Sequence, residues 1–398
     1  MIGKLTSETP DRIARQSMTS SLHSHISLGE VPPFAIHTAL ALPCLFFAMT
    51  LSAAVELDHP WVPLPDLPDP VGLKGIIAGV HEGQLLLAGG SNFPNPLSKG
   101  GKKTYHDRIF RRPIDAADNE PWIESAIRLP APIAEGSSVT TPYGVVAVGG
   151  QGLAGESASV LLIKWDQSTQ QISHQILPPL PSARASAALA YYDGQLFLSG
   201  GVGLARNDAE FLTLNLQRWL RGEIDQTWEP LPRCPGPNRF GATLMPVTLP
   251  DGPALIQCGG RRLDQSVTED DYLRETWKFD LSRQQWSRKV PLPQPVLLGN
   301  AVSLSADRFA VGGGSDGHDL ANMRELGERY RLPDSIFVYD ALADTWTAGG
   351  RLPIGVAAAA SVRVGGDWVI AGGEYSPGLR SSEVFRLPLI NLNPLAQL

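Results

Sequence analysis

The chain has 398 residues, a formal net charge of −7 and only 18% charged residues, with 40 glycines and 34 prolines. That balance offers no basic face, so no nucleic-acid partner is expected, although a local arginine pocket can still hold a small anion. Abundant turn residues with few charges read as many short strands joined by tight turns, with little helix.

The first distinctive segment is apolar. Thr38 to Val55 reads TALALPCLFFAMTLSAAV and ends in small residues, with Ser52 and Ala54 at the −3 and −1 positions of a cleavage site and polar Glu56 and Asp58 beyond. Pro43 interrupts the run and the small-residue site follows it, so it reads as a secretory signal peptide before a membrane anchor. Lys4, Arg12 and Arg15 lie far upstream, which a translation start at Met18 would explain. Residues 1–54 are thus expected to be an N-terminal extension with a signal peptide. The protein is expected to be periplasmic or secreted, without stable membrane insertion. The three cysteines, Cys44, Cys234 and Cys258, do not fix the compartment.

From residue 58 to 390 one pattern repeats. Gly89-Gly90, Gly149-Gly150, Gly200-Gly201, Gly259-Gly260, Gly312-Gly313 and Gly372-Gly373 each end a short apolar run, at intervals of 51 to 60 residues. A glycine pair at that period marks blades of a kelch-type β-propeller, and six pairs predict six blades in one domain. Each unit starts at a Leu-Pro turn: Leu67, Leu129, Leu180, Leu231, Leu292 and Leu352. Two strands and the glycine pair follow, then a variable loop, a third strand, and a fourth that often carries tryptophan: Trp122, Trp228, Trp286 and Trp346. The glycines are expected to let adjacent backbones approach, and the tryptophans to fill the wedges between blades. The segment around Trp61 reads as a fourth strand and Glu383 to Leu387 as a third. The N-terminal strand is therefore expected to complete the last blade.

Strands alternate in direction, so the turn before strand one and the loop after strand two share a face. Polar residues concentrate there: Lys74, Asn92, Gln151, Arg184, Arg239, Arg261-Arg262, Asn300 and Glu374. The longest loops, near 91–107, 261–275 and 314–334, overhang the same face. Arginines, asparagines and a carboxylate around a funnel suggest a pocket for a small, polar, anionic molecule.

Two strings carry a resemblance. Gly372-Gly373-Glu374-Tyr375-Ser376-Pro377-Gly378-Leu379-Arg380 resembles the G-E-x-x-P-G-x-R motif of the sialic acid mutarotases, or N-acetylneuraminate epimerases, six-bladed kelch proteins of the bacterial periplasm. Lys102-Lys103-Thr104-Tyr105-His106-Asp107 resembles a second motif of the same enzymes. Here the Lys-Lys-x-Tyr blade comes first and the glutamate blade last, the order of the cyclically permuted mutarotase family, which the chain resembles over all six blades. The resemblance implies Glu374 and Arg380 as the catalytic pair, with Arg380 also binding a sugar carboxylate. Position on the face adds Asn92, Lys103, Arg184, Arg239 and Asn300 as sugar contacts. No metal or redox cofactor is expected. Glu135 stands where those enzymes carry an arginine, which opens a second expectation, a different free sugar on the same scaffold. The expected partner is a small sugar, in the first instance a sugar acid. The competing class is a secreted kelch propeller that binds carbohydrate or protein without catalysis. A copper radical oxidase is set aside, since neither Cys234 nor Cys258 has a histidine nearby.

Overall fold

Alternating apolar strands of about five residues, each cut by glycine or Leu-Pro, cannot bury two faces alone and must stack on one another. The computed structural model describes residues 60–204, 210–225, 227–263 and 267–392. The expected signal peptide and Cys44 lie outside the described residues. Six four-stranded antiparallel sheets follow in chain order, and the first strands of neighbouring sheets contact one another around the ring. The first blade holds Ile77–His81, Gln84–Ala88, Ile109–Pro113 and Ile123–Glu124. The last holds Ala360–Val364, Asp367–Ala371 and Val384–Pro388. The fold is the all-β, six-bladed propeller that the repeats predict.

The glycine pairs stitch one blade to the next. The second glycine of each pair donates its N–H to a carbonyl of the following blade: Gly90 to Ile133, Gly150 to Arg184, Gly201 to Arg239, Gly260 to Val296 and Gly373 to Leu73. A Cβ on the first glycine would lie 2.2–2.5 Å from that same carbonyl oxygen, so no side chain is tolerated. In the fifth blade the pair differs from the sequence reading. It is Gly313-Gly314, both with positive φ, and Gly314 donates to Val356. Gly312 instead ends the strand Arg308–Gly312. Three glycines in a row concealed the register.

A second stitch has no sequence signature. Gly75, Glu135, Ser186, Leu298 and Ala358 stand just before five of the first strands and Gly241 near the start of the other, Arg239–Leu249, all with φ between 51° and 67°. Each donates its N–H to the carbonyl of the preceding one, and Gly75 to Ala358, at 2.7–2.9 Å. Six hydrogen bonds therefore close a ring around the axis. Only two members are glycine, so each of the others bears about 1–2 kcal/mol of left-handed strain that the ring must offset.

The termini meet as expected. Val62–Leu64 pairs antiparallel with Val384–Arg386 and supplies the fourth strand of the last blade. Trp61 packs on Trp368 at 5.6 Å and donates its Nε1–H to the Arg351 carbonyl of the fifth blade. Trp122, Trp228, Trp286 and Trp346 donate likewise to Pro65, Pro178, Pro232 and Val290, at 2.7–3.1 Å. The tryptophans thus pin five of the six wedges as well as fill them; the fourth strand of blade two, Gln171–Ile176, carries none. Cys234 and Cys258 are free and buried. Burial pushes their thiols up to about 11 and about 12, which leaves them inert.

Candidate active site

Three two-stranded hairpins rise from consecutive blades on the glycine-pair face. They are Glu374–Ser376 with Leu379–Arg380, Ser91–Asn92 with Thr104–Tyr105, and Gln151–Gly152 with Gly155–Glu156. Glu374 is directly opposite Arg380 in its hairpin, with a bulge between. The Pro377-Gly378 turn has φ +80° at Gly378, and a Cβ there would strike Leu97 at 2.4 Å. That tight turn delivers the Gly378 N–H to Glu374 Oε1 at 2.9 Å.

Around this carboxylate the three blades build a chain of alternating charge. Arg380 donates to Glu374 Oε1 at 2.6 Å, and Lys74 donates to Oε2 at 2.7 Å. Lys74 also lies 3.9 Å from Glu135. Lys103 donates to Glu135 at 3.0 Å and to Gln151 at 3.3 Å, and the Tyr105 hydroxyl donates to the same Gln151 oxygen. Arg380 is enclosed, its side chain only 3% exposed, with its guanidinium over Phe93. Burial by itself would raise the Glu374 carboxyl. The Lys74 and Arg380 charges, with hydrogen bonds from Lys74 and Gly378, outweigh burial and pull it down to about 2.

This depression makes the cluster a source of pH-dependent stability. A carboxyl lower in the folded than in the unfolded chain stabilises above the ordinary value of 4.5, and that stability is lost as pH falls toward 2. The contribution is on the order of 3 kcal/mol. We expect the stability difference between wild type and Glu374→Gln to shrink steadily between about pH 5 and pH 2 in urea titrations. A difference independent of pH in that window would show that the ion pairs do not set this carboxyl.

Of the residues expected at the site, Glu374, Arg380 and Lys103 come together. The other four lie elsewhere. Arg184 and Arg239 are each 1% exposed and donate to the Gly200 and Gly259 carbonyls at 3.4 and 3.3 Å, and Arg239 also pairs with Glu275 at 2.5 Å. Asn300 bridges the Gly312 and Val356 carbonyls across a blade seam. The reason is geometric. These positions precede or begin the first strands, where carbonyls at the ends of the second strands need donors. Asn92 is equally buried and joins His106, Asp69 and the Gly72 carbonyl. Gly72 in turn lies against the backbone of Arg380 and Ser381, so Asn92 supports the site from behind. We expect Asn300→Ala to cost about 1–3 kcal/mol in urea unfolding, through two stranded carbonyls, with sugar binding unchanged.

Sequence reasoning undervalued Lys74, Glu135 and Gln151. Their signal was regular: Lys74 immediately precedes an axial-ring member, Glu135 is one, and Gln151 follows a glycine pair. The axial cavity, about 610 Å³, is chemically quieter. Ser138 and Thr140 in its wall accept the N–H groups of Ala78 and Val80, and Ser361 donates to the Ala301 carbonyl. Those polar groups are committed to blade edges. Among the described residues no group of three or more His, Cys, Asp or Glu gathers as a metal site, and no helix is long and apolar enough to cross a membrane.

Comparison with known proteins points the same way as the two motifs. The chain is 31% identical over 128 residues to N-acetylneuraminate epimerase of Vibrio cholerae serotype O1, covering 29% of this chain and 33% of that protein. It is 26% identical over 206 residues to the Haemophilus influenzae (strain PittEE) enzyme of the same name, covering 46% and 52%. For that of Yersinia enterocolitica it is 24% over 197 residues, covering 43% and 50%. The matches thus span a third to about half of these relatives' length and establish distant homology to N-acetylneuraminate epimerases. No protein-family model matches the chain. The solved structure of YjhT superposes with a TM-score of 0.57 at 16% identity, covering 81% of this chain and 96% of that one, a likeness of fold.

Proposed function

We propose that the chain is a sugar mutarotase, interconverting the α and β anomers of N-acetylneuraminate or a related free sugar. The observation that carries this reading is the Glu374 carboxylate, held ionised by Lys74, Arg380 and the Gly378 N–H with its side chain 19% exposed on the glycine-pair face. Mutarotation needs one base that can return its proton. Glu374 takes the proton of the anomeric hydroxyl. The bond from the anomeric carbon to the ring oxygen breaks, its electron pair goes to that oxygen, and the same proton is delivered there. The carbonyl form turns and recloses on its other face, so atoms and charge balance. Arg380, enclosed and bonded to Glu374, serves as the group that orients the base. A carboxylate at about 2 is a weak base. A polar substrate that draws Lys74 into its own hydrogen bonds weakens that hold and raises the base toward its working strength.

That low value also favours a second reading, a propeller that binds a sugar without turning it over, because a saturated ion-pair cluster is a stable recognition surface. Time-resolved proton NMR separates the two. Freshly dissolved single-anomer N-acetylneuraminate, N-acetylmannosamine and glucose, each with catalytic amounts of protein, should show equilibration well above the spontaneous rate for at least one sugar. Binding without acceleration for every sugar would leave the binding reading.

A further inference from the structure

The residue after each glycine pair bridges back to the residue that precedes the axial ring. Glu374 pairs with Ala357 in blade six, Gln151 with Ala134 in blade two, and Arg261 with Phe240 in blade four. Three alternate blades therefore present a glutamate, a glutamine and an arginine at equivalent places on one mouth. Glu374 and Gln151 already belong to the charged cluster. Arg261 does not.

Like Lys103 and Arg380, Arg261 lies over an aromatic ring, but unlike every cation of that cluster it has no ion pair among the described residues. Its guanidinium lies 4.9 Å from the Phe240 ring centre and 5.9 Å from that of Tyr272. Stacking holds a guanidinium by its faces and leaves the in-plane N–H donors unspent. Its Nε is buried without a hydrogen-bond partner, and among the described residues no carboxylate pairs with it. Lys74, Lys103 and Arg380, by contrast, each already sit on a glutamate. An anionic group reaching this face finds at Arg261 a fork that no carboxylate among the described residues holds in a direct ion pair, Asp271 acting on it only through space.

We propose that Arg261, clamped by Phe240 and Tyr272, is the carboxylate-binding residue of the funnel. The ligand is then a sugar acid whose anionic group docks on blade four. Placement of its anomeric centre at Glu374 on blade six rests on the mutarotase reading. Arg380, assigned to that carboxylate on resemblance, is left to Glu374.

The test is calorimetric titration of wild type, Arg261→Ala and Arg261→Gln with N-acetylneuraminate and with its uncharged methyl ester, beside NMR anomer-exchange rates. Wild type should prefer the acid. Either variant should bind it about 10–100-fold more weakly, as expected for loss of a charge-assisted pair, with ester affinity within about threefold of wild type. Circular dichroism identifies a variant that fails to fold, and Arg261→Lys, which keeps the charge but not the fork, should fall between. Four results overturn the proposal: no binding of the acid by wild type, no preference for it over the ester, equal loss of both ligands, or no loss of either. If acid binding depends on Arg261 but anomer exchange is never accelerated, the subsite stands and the mutarotase reading falls. If exchange is accelerated and Arg261→Ala leaves the acid's KM unchanged, the reading stands and the subsite falls.

Discussion

Glu374→Gln should lower the rate of protein-catalysed anomer exchange by about 10²–10⁴-fold, the usual worth of a positioned acid/base group. The amide keeps the size of the side chain and the hairpin that carries it. It cannot accept the anomeric proton, and it no longer balances Lys74 and Arg380, which donate to the two carboxylate oxygens at 2.7 and 2.6 Å. The loss should fall on kcat, with KM for the sugar changed only a few-fold, because binding donors elsewhere in the funnel remain. Glu374→Asp retains a carboxylate but draws it back by one methylene from both cations, and should recover only part of the rate. Circular dichroism and thermal melting of each variant separate chemistry from folding. Full activity in a folded Glu374→Gln protein would remove Glu374 from the reaction.

The second large effect is on stability. A chain beginning at Pro65 lacks Trp61 and Val62–Leu64, and should melt far lower or fail to fold. Three registered pairs with Val384–Arg386 disappear, exposing the edge of the last blade. Leu64 leaves the core between blades six and one, and Trp61 leaves both Trp368 and the Arg351 carbonyl. Summed over the two apolar side chains, the ladder bonds and the open edge, the loss is on the order of 5 kcal/mol or more, comparable to a domain's net stability. Supplying the missing segment as a separate peptide should restore part of the melting temperature. A truncated chain with wild-type melting behaviour would show that the ring closes without it.

The architecture was legible because its devices repeat. Six glycine pairs, six Leu-Pro turns and the tryptophan positions each report one contact; the glycine contact recurs at all six seams and the tryptophan contact at five. The unmatched strands at the two ends were enough to foresee the closure. The register in blade five was not legible, because Gly312, Gly313 and Gly314 are identical in sequence and differ only in φ. Nor was the axial ring, in which glutamate, serine, leucine and alanine adopt the left-handed backbone of their glycine counterparts. The charged cluster was legible where a motif fixed a hairpin, at Glu374 and Arg380, and where a paired lysine motif supplied Lys103. It was misjudged where polarity alone was the guide. Arg184, Arg239 and Asn300 satisfy buried carbonyls, which asks for the same donors that a sugar would. Glu135, a departure from the resembling enzymes, pairs with Lys103 and completes the charge pattern of the mouth.

The most direct measurement is two-dimensional exchange NMR on N-acetylneuraminate already at anomeric equilibrium, at several low concentrations of wild-type protein. Cross-peaks between the α and β signals should grow at a rate proportional to protein concentration, and vanish with Glu374→Gln. Sugar signals that broaden on binding while the exchange rate stays at its spontaneous value would contradict catalysis and leave a binding propeller.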